Sequence, residues 1–267
     1  MRGTGAAGPT DDAYHSPLLA RPGAVAAAGP DAGVAWHYGE PVAEQRALEA
    51  GAAVVDMSHL GVVTVAGPDR SGWLHNITSQ ALTDLAPRAS TETLVLSPHG
   101  HVEFAAAVVD DGERTWLITE AHAAAALAAW LDSMRFMLRV EVADVTAEWA
   151  ALGEAVDAEG AEGEPVTWRD PWPGVTPGGT RYGPASDGHP GAERAWRLVL
   201  VPRARLADEV AAREQAGWRL AGTWAAEALR VGAWRPRPAR EVDHRTIPHE
   251  LDWLRTAVHL HKGCYRG

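Results

Sequence analysis

The sequence predicts an α+β fold, and three observations carry that prediction. From residue 102 to 217 the apolar spacing switches repeatedly between periods of 2 and 3.6, reading hairpin, helix, two strands, loop, strand and helix. Apolar residues make up 46% of the 267-residue chain and charged residues 22%, the balance of a soluble globular protein with ample chain for a core. The most helix-like apolar stretch, Ala121 to Leu131, is too short and too weakly apolar to span a bilayer.

Taken in order, residues 1–35 are rich in Gly, Ala and Pro and poor in large apolar groups, so they read as a disordered leader. Ordered structure is expected from Trp36. Residues 41–50 have helical spacing and Gly51 can end that helix. Strand-like runs follow at Ala53–Met57 and Gly61–Ala66. Gly67-Pro68-Asp69 starts a helix that sets Trp73, Leu74 and Ile77 on one face. Thr93–Leu96 reads as a strand, and Val102–Val109 with Thr115–Thr119 reads as a hairpin about Asp110-Asp111-Gly112. A helix from about Ala121 to Arg135 comes next, then strands at Arg139–Val145 and Glu148–Leu152. Residues 153–194 are dense in Gly, Pro and acid and read as a long surface loop. Trp196–Val201 is a strand, and Leu206–Gln215 and Thr223–Val231 are helices.

The net charge of −11 argues against binding nucleic acid directly or an anionic membrane. Yet residues 219–267 hold nine Arg/Lys against five Asp/Glu, which suits a local site for an anionic small molecule. One cysteine excludes an internal disulfide and fits a reducing cytoplasm.

Candidate chemistry concentrates near residue 262. Twenty-three of the 24 basic residues are arginine, and the one lysine, Lys262, stands two residues from the one cysteine, Cys264. A neighbouring cation favours the thiolate, the form that reacts or binds metal, so Cys264 is a candidate thiol and Lys262 its partner. His259, His261 and Cys264 do not match a closed zinc spacing; a transient metal or cluster ligation by Cys264 stays open. His101-Val102-Glu103 matches half of the zinc deaminase signature, but the paired cysteines are missing. Phosphate-binding glycine loops and a Gly-x-Ser-x-Gly elbow are likewise missing.

Lys262-Gly263-Cys264-Tyr265-Arg266-Gly267 resembles the K-G-C-Y-x-G signature of the YgfZ-type folate-binding proteins, within the superfamily of the glycine cleavage T protein, an aminomethyltransferase. Asp56-Met57-Ser58-His59-Leu60-Gly61 with Val63–Asp69, then Ala228-Leu229-Arg230 and Ile247-Pro248-His249-Glu250, resemble further segments of that superfamily in order. The resemblance covers residues 36–267. It implies a tetrahydrofolate-binding fold with a ferredoxin-like central unit and with the superfamily's C-terminal β-barrel absent. The implied division is a leader (1–35), a discontinuous folate-binding domain (36–101 and 218–267) and a ferredoxin-like α+β domain (102–217).

The resemblance also implies site residues. Lys262, Gly263, Cys264 and Tyr265 would lie at the folate, Arg230 would take its glutamate tail, and Glu250 would take its pterin amino groups. Arg230 and Glu250 can equally be a surface cation and a local cap. Where aminomethyltransferases carry two aspartates this chain has Phe104 and Ala105, neither of which moves a proton, so methylene transfer is not expected. The implied function is a tetrahydrofolate-binding accessory protein for iron–sulfur cluster assembly or repair in client enzymes, some of which modify tRNA. The alternative is a folate-dependent one-carbon transferase using Glu103 or Asp69; a non-functional remnant is the third reading.

Overall fold

The structure is a computed structural model that describes residues 14–160, 162–183, 188–263 and 265. Its strands are Val25–Ala26 (β1), Ala35–His37 (β2), Ala53–Asp56 (β3), Leu60–Ala66 (β4), Ser90–Leu96 (β5), Val102–Asp110 (β6), Arg114–Glu120 (β7), Glu141–Asp144 (β8), Trp149–Glu154 (β9), Thr167–Arg169 (β10), Arg197–Pro202 (β11) and Arg219–Ala221 (β12). Its helices are Pro41–Glu49 (α1), Arg70–Ile77 (α2), Ala121–Met134 (α3), Leu206–Gln215 (α4), Thr223–Gly232 (α5) and Pro238–Glu241 (α6). The mixed α+β class is as the sequence predicts.

Two five-stranded sheets organise the molecule, in the orders β10-β11-β9-β3-β12 and β5-β6-β7-β4-β8. Pairing is antiparallel except between β12 and β3. Strand alternation sorts side chains into layers. In β11, Leu198 and Leu200 join the core that also holds Val62, Trp116 and Ile118 of the second sheet, so the two sheets share one interior. Val199 and Val201 face the other way, onto Leu206 and Val210 of α4. On the far side, Val63 and Val65 of β4 pack beneath Trp73 and Leu74 of α2 and Leu127 and Leu131 of α3. Gly61 is what lets α3 approach β4: a Cβ there would stand 2.5 Å from the Ala124 Cβ.

Most elements fall where the periodicity places them. Two expectations need correction, and one strand was not expected. Residues 14–35 are not a disordered leader, although the part before Tyr14 lies outside the described residues. Leu18 is buried in the α4 layer, the Ser16 hydroxyl bonds the Asp56 carboxylate, and Asp31 is fully buried. Few large apolar groups are needed because polar contacts pin this segment. The 153–194 loop is also not wholly a surface feature: it contributes β10, and Trp168 and Trp172 are core residues. Finally, β12 occupies residues to which the sequence assigned no element.

Strand pairing runs across the expected 101/102 division. β5 pairs with β6 and β4 pairs with β7, so the second sheet takes strands from both sides of it.

Candidate functional site

The segment Trp234-Arg235-Pro236-Arg237-Pro238 follows α5 and runs between the sheets. Proline fixes φ and forbids continued helix, so the two arginines stand at alternate positions of a stretched backbone. Both are buried, which demands carboxylate partners. Arg235 reaches both Glu92 oxygens, at 3.2 and 2.6 Å, and Asp170 at 3.2 Å. Arg194 bonds the same Asp170 at 2.8 Å, and the Thr256 hydroxyl donates to Glu92. Arg237 makes a two-pronged contact with Glu120, at 2.8 and 3.0 Å. It also bonds Asp31 at 2.7 Å and Glu227 at 3.2 Å.

The electrostatics follow from that pairing. Burial alone would push the Asp170 carboxyl up, but the charges of Arg235 and Arg194 outweigh it and hold the group below the usual carboxylate range. Asp31 behaves alike: burial raises it, and the His59 hydrogen bond and the Arg237 charge hold it well below. For Arg235 and Arg237 burial disfavours the cation, yet the surrounding carboxylates raise both above the ordinary arginine value.

These ion pairs bound an inner chamber of about 140 Å³. Its remaining walls are Met57 and Leu60 from the β3–β4 turn, Ala105–Ala107 of β6, and the indoles of Trp168, Trp196 and Trp253. Arg230, Arg235 and Pro236 line both this chamber and an outer cavity of about 460 Å³, which Tyr182, Trp234, His249 and Glu250 also border. A second cavity of about 560 Å³ meets the chamber at Ala105, Thr119, Glu120 and Pro238; His101, Glu103, His122 and His244 line it.

The sequence-predicted residues divide between places. Arg230 and Glu250 share the outer cavity. The Arg230 guanidinium is bonded to Glu227 and Glu241 at 3.0–3.1 Å and to the Arg235 carbonyl at 2.6 Å. Glu250 accepts from the Ile247 amide at 3.1 Å and so caps the short 3₁₀ turn Pro248–Leu251, while staying at the rim. Lys262 lies elsewhere. Its ammonium donates to the His75 and Thr78 carbonyls, with the Gln80 carbonyl at 3.4 Å, and thereby caps the C-terminal end of α2. Tyr265 packs on the cluster around Trp253 and Leu254, its hydroxyl 3.2 Å from the His259 carbonyl and its ring 5.7 Å from the Lys262 nitrogen. Gly263 has open space where a Cβ would go, so close backbone approach does not require glycine there. Cys264 lies outside the described residues.

Ala105 faces the inner chamber and Phe104 packs towards the α2–α3 core. Of the alternative acids, Glu103 borders the histidine-lined cavity, whereas Asp69 is half-buried and paired with Arg139 at 2.7 Å. Sequence reasoning missed Asp31, Glu92, Glu120, Asp170, Arg194, Arg235 and Arg237. The Arg-Pro-Arg-Pro run and the positive surplus after residue 219 were the signals that pointed to the last two. Among the described residues, no group of three or more His, Cys, Asp or Glu could hold a metal, and no helix is long and apolar enough to cross a membrane.

Comparison with known proteins sets this geometry in context. No curated protein matches the chain. Among solved structures, the glycine cleavage system aminomethyltransferase T from Bartonella henselae superposes with a TM-score of 0.68 at 17% identity, over 89% of this chain and 67% of that one. That likeness is one of fold. The heterotetrameric sarcosine oxidase from Corynebacterium sp. U-96 is similar over 78% of this chain and 96% of its own at 14% identity, but a TM-score of 0.33 is no guide to this structure. The GCVT N-terminal domain pattern matches residues 21–154, half of the chain. That span contains β3 to β9 with α1 to α3, and hence the Met57–Leu60 turn, Glu92, Ala105 and Glu120 of the inner chamber. The chain belongs to the GCVT N-terminal domain family.

Proposed function

We propose that the chain binds a reduced folate, tetrahydrofolate or a derivative, with the pterin in the inner chamber and the acidic tail in the outer cavity beside Arg230. The observation that carries this reading is the chamber itself: about 140 Å³, walled by indoles and floored by fixed charges, it suits a flat heteroaromatic ring rather than a whole drug-sized ligand. The outer cavity, about 460 Å³, has room for the remainder. Arg230 offers a guanidinium there, although Glu227 and Glu241 already hold it, so a ligand carboxylate must compete with Glu241.

Binding without methylene transfer is the favoured task. Ala105 supplies no proton-transfer group to the chamber. Glu92 and Glu120, which do face it, each have both oxygens held by an arginine and so aimed away from a substrate proton. The likeness to an aminomethyltransferase favours the alternative of one-carbon transfer, for which Glu103 at the neighbouring cavity is the remaining acid. Service to iron–sulfur cluster assembly or repair in client enzymes rests on the Lys262–Gly267 signature alone.

The test is calorimetric titration with 5-formyltetrahydrofolate, alongside Arg230→Ala and an assay of methylene turnover. Saturable binding, weakened about tenfold in the variant and without turnover, is the expected result. No binding by a folded chain would overturn the folate assignment. Turnover would replace the accessory reading by the transferase one. Unchanged rescue of a client cluster by Cys264→Ser would remove the thiol from the mechanism.

A further inference from the structure

The second sheet ends at β8, so one side of that strand has no neighbouring strand. Its register fixes which groups lie there. The Val145 amide bonds the Val62 carbonyl at 2.9 Å, and Asp144 stands opposite Val63. Bonding alternates along an antiparallel pair. Glu141 and Ala143 therefore turn their amides and carbonyls towards β4, while Val142 and Asp144 turn theirs outward. An open edge of this kind pairs readily with another strand. With only four residues, it needs further contact to hold a partner.

That contact lies on either side of it. Phe136, Met137 and Leu138, just before β8, are 90%, 84% and 43% exposed. No other three consecutive large apolar side chains are exposed among the described residues. Phe136 holds φ at +47°, a left-handed conformation that is costly for a bulky residue, and does so with its ring in water. Just after β8, Asp144, Thr146 and Ala147, with Ala121 at the start of α3, border a cavity of about 820 Å³. Helix α3 packs on the same face of the sheet as Val142, and exposes the small side chains of Ala125, Ala126, Ala129 and Ser133.

We propose that two copies of this chain pair antiparallel through β8, about a two-fold axis at Val142, and so join their second sheets into one. Outward groups must meet outward groups, so Val142 pairs with the partner's Val142, and Val140 with the partner's Asp144. Moving the axis to Glu141 would set two carboxylates directly opposite, and moving it to Ala143 would shorten the pairing. The same register brings residues 136–138 of each copy beside residues 144–147 and the start of α3 of the other. The exposed apolar loop thus meets the open cavity twice across the axis, and one surface supplies both, as a two-fold interface requires. The two α3 helices then lie antiparallel on one face of the joined sheet, where their small exposed side chains leave room for both.

Sedimentation equilibrium of the full chain over a range of concentrations should show reversible association from 28.4 kDa to twice that mass. Two variants should each weaken it at least tenfold while circular dichroism shows the fold retained. Phe136→Ser with Met137→Ser changes only exposed side chains. Val142→Pro removes an outward amide and none that bonds β4. A monomer at every concentration, or association equally strong in both variants, would overturn the proposal. Oxidative crosslinking reads the register. In a Cys264→Ser background, Val142→Cys should give a disulfide-linked dimer, because the paired Cα atoms would stand about 5.5 Å apart, within disulfide reach. Failure of Val142→Cys to link, or linking of Glu141→Cys in its place, would overturn the pairing.

Discussion

Replacing Lys262 by methionine separates a structural from a ligand-binding role for the one lysine. Its ammonium is nine-tenths buried and serves the carbonyls of His75, Thr78 and Gln80 where α2 ends. Methionine keeps most of the volume, so the loss is chiefly polar. A buried acceptor without its donor costs about 1–3 kcal/mol, and a cation at a partly buried helix C-terminus contributes up to about 2 kcal/mol. Allowing for overlap and relaxation, about 3 kcal/mol is expected. For a chain this size each kcal/mol moves the midpoint by about 2–4 °C, so thermal unfolding should shift down by about 6–12 °C. His75 gives an independent readout: burial first, and the Lys262 charge second, hold its imidazole below the ordinary value, so the variant should raise it part of the way. Folate affinity of the folded variant, measured well below its midpoint, should change little. An unchanged midpoint together with affinity lost tenfold or more would refute this reasoning and put Lys262 at the ligand.

Arg237→Met strands Glu120 in the interior without its cation and leaves Asp31 with Arg240 and His59 alone, and should cost about 3–5 kcal/mol or abolish cooperative unfolding by urea. Stability should fall on acidification in two stages. His75 and His189 are both held below 6.5, chiefly by burial, so the unfolded chain takes up those protons first and stability declines as pH drops below about 6.5. Asp31, Asp110 and Asp170 lie below their ordinary value of 3.8 because their bonds to arginine (and, for Asp31, to His59) outweigh burial, so a steeper loss follows below about pH 4; a flat urea midpoint between pH 7 and 3 would contradict both stages. Gly61→Ala drives a methyl into Ala124 and should destabilise by about 1–3 kcal/mol, with much of that restored in the Gly61→Ala, Ala124→Gly double variant.

The fold was legible wherever burial repeats along the chain. α4 is found at its expected residues, and the β6–β7 hairpin and α3 lie within a residue of theirs, because each buries one face against a neighbouring layer. Elements whose partners lie far away in sequence were not legible. β12 has three residues and exists because β3 lies beside it, and β10 sits within Gly- and Pro-rich chain. The segment 14–35 is held by Ser16–Asp56 and Asp31–Arg237, contacts that carry no periodicity. The same reason limits the site. Arg230 and Glu250 meet at one cavity, whereas Lys262 stands close to Glu250 in sequence and at the end of α2 in space. The carboxylates of the chamber, Glu92, Glu120 and Asp170, are scattered over nearly eighty residues, and only the fold assembles them.

The reach of the Arg235–Arg237 segment also governs the order of synthesis and folding. Asp31, Glu92 and Glu120 emerge from a ribosome long before the arginines that neutralise them. Until residues 235–237 are made, burying those carboxylates costs several kcal/mol each, so the space between the sheets should stay hydrated in the nascent chain. The outer layers, with their local hairpin and helix contacts, can consolidate earlier. The ion pairs between the sheets should then form in a late step, when one arginine–proline segment inserts and supplies both cations at once.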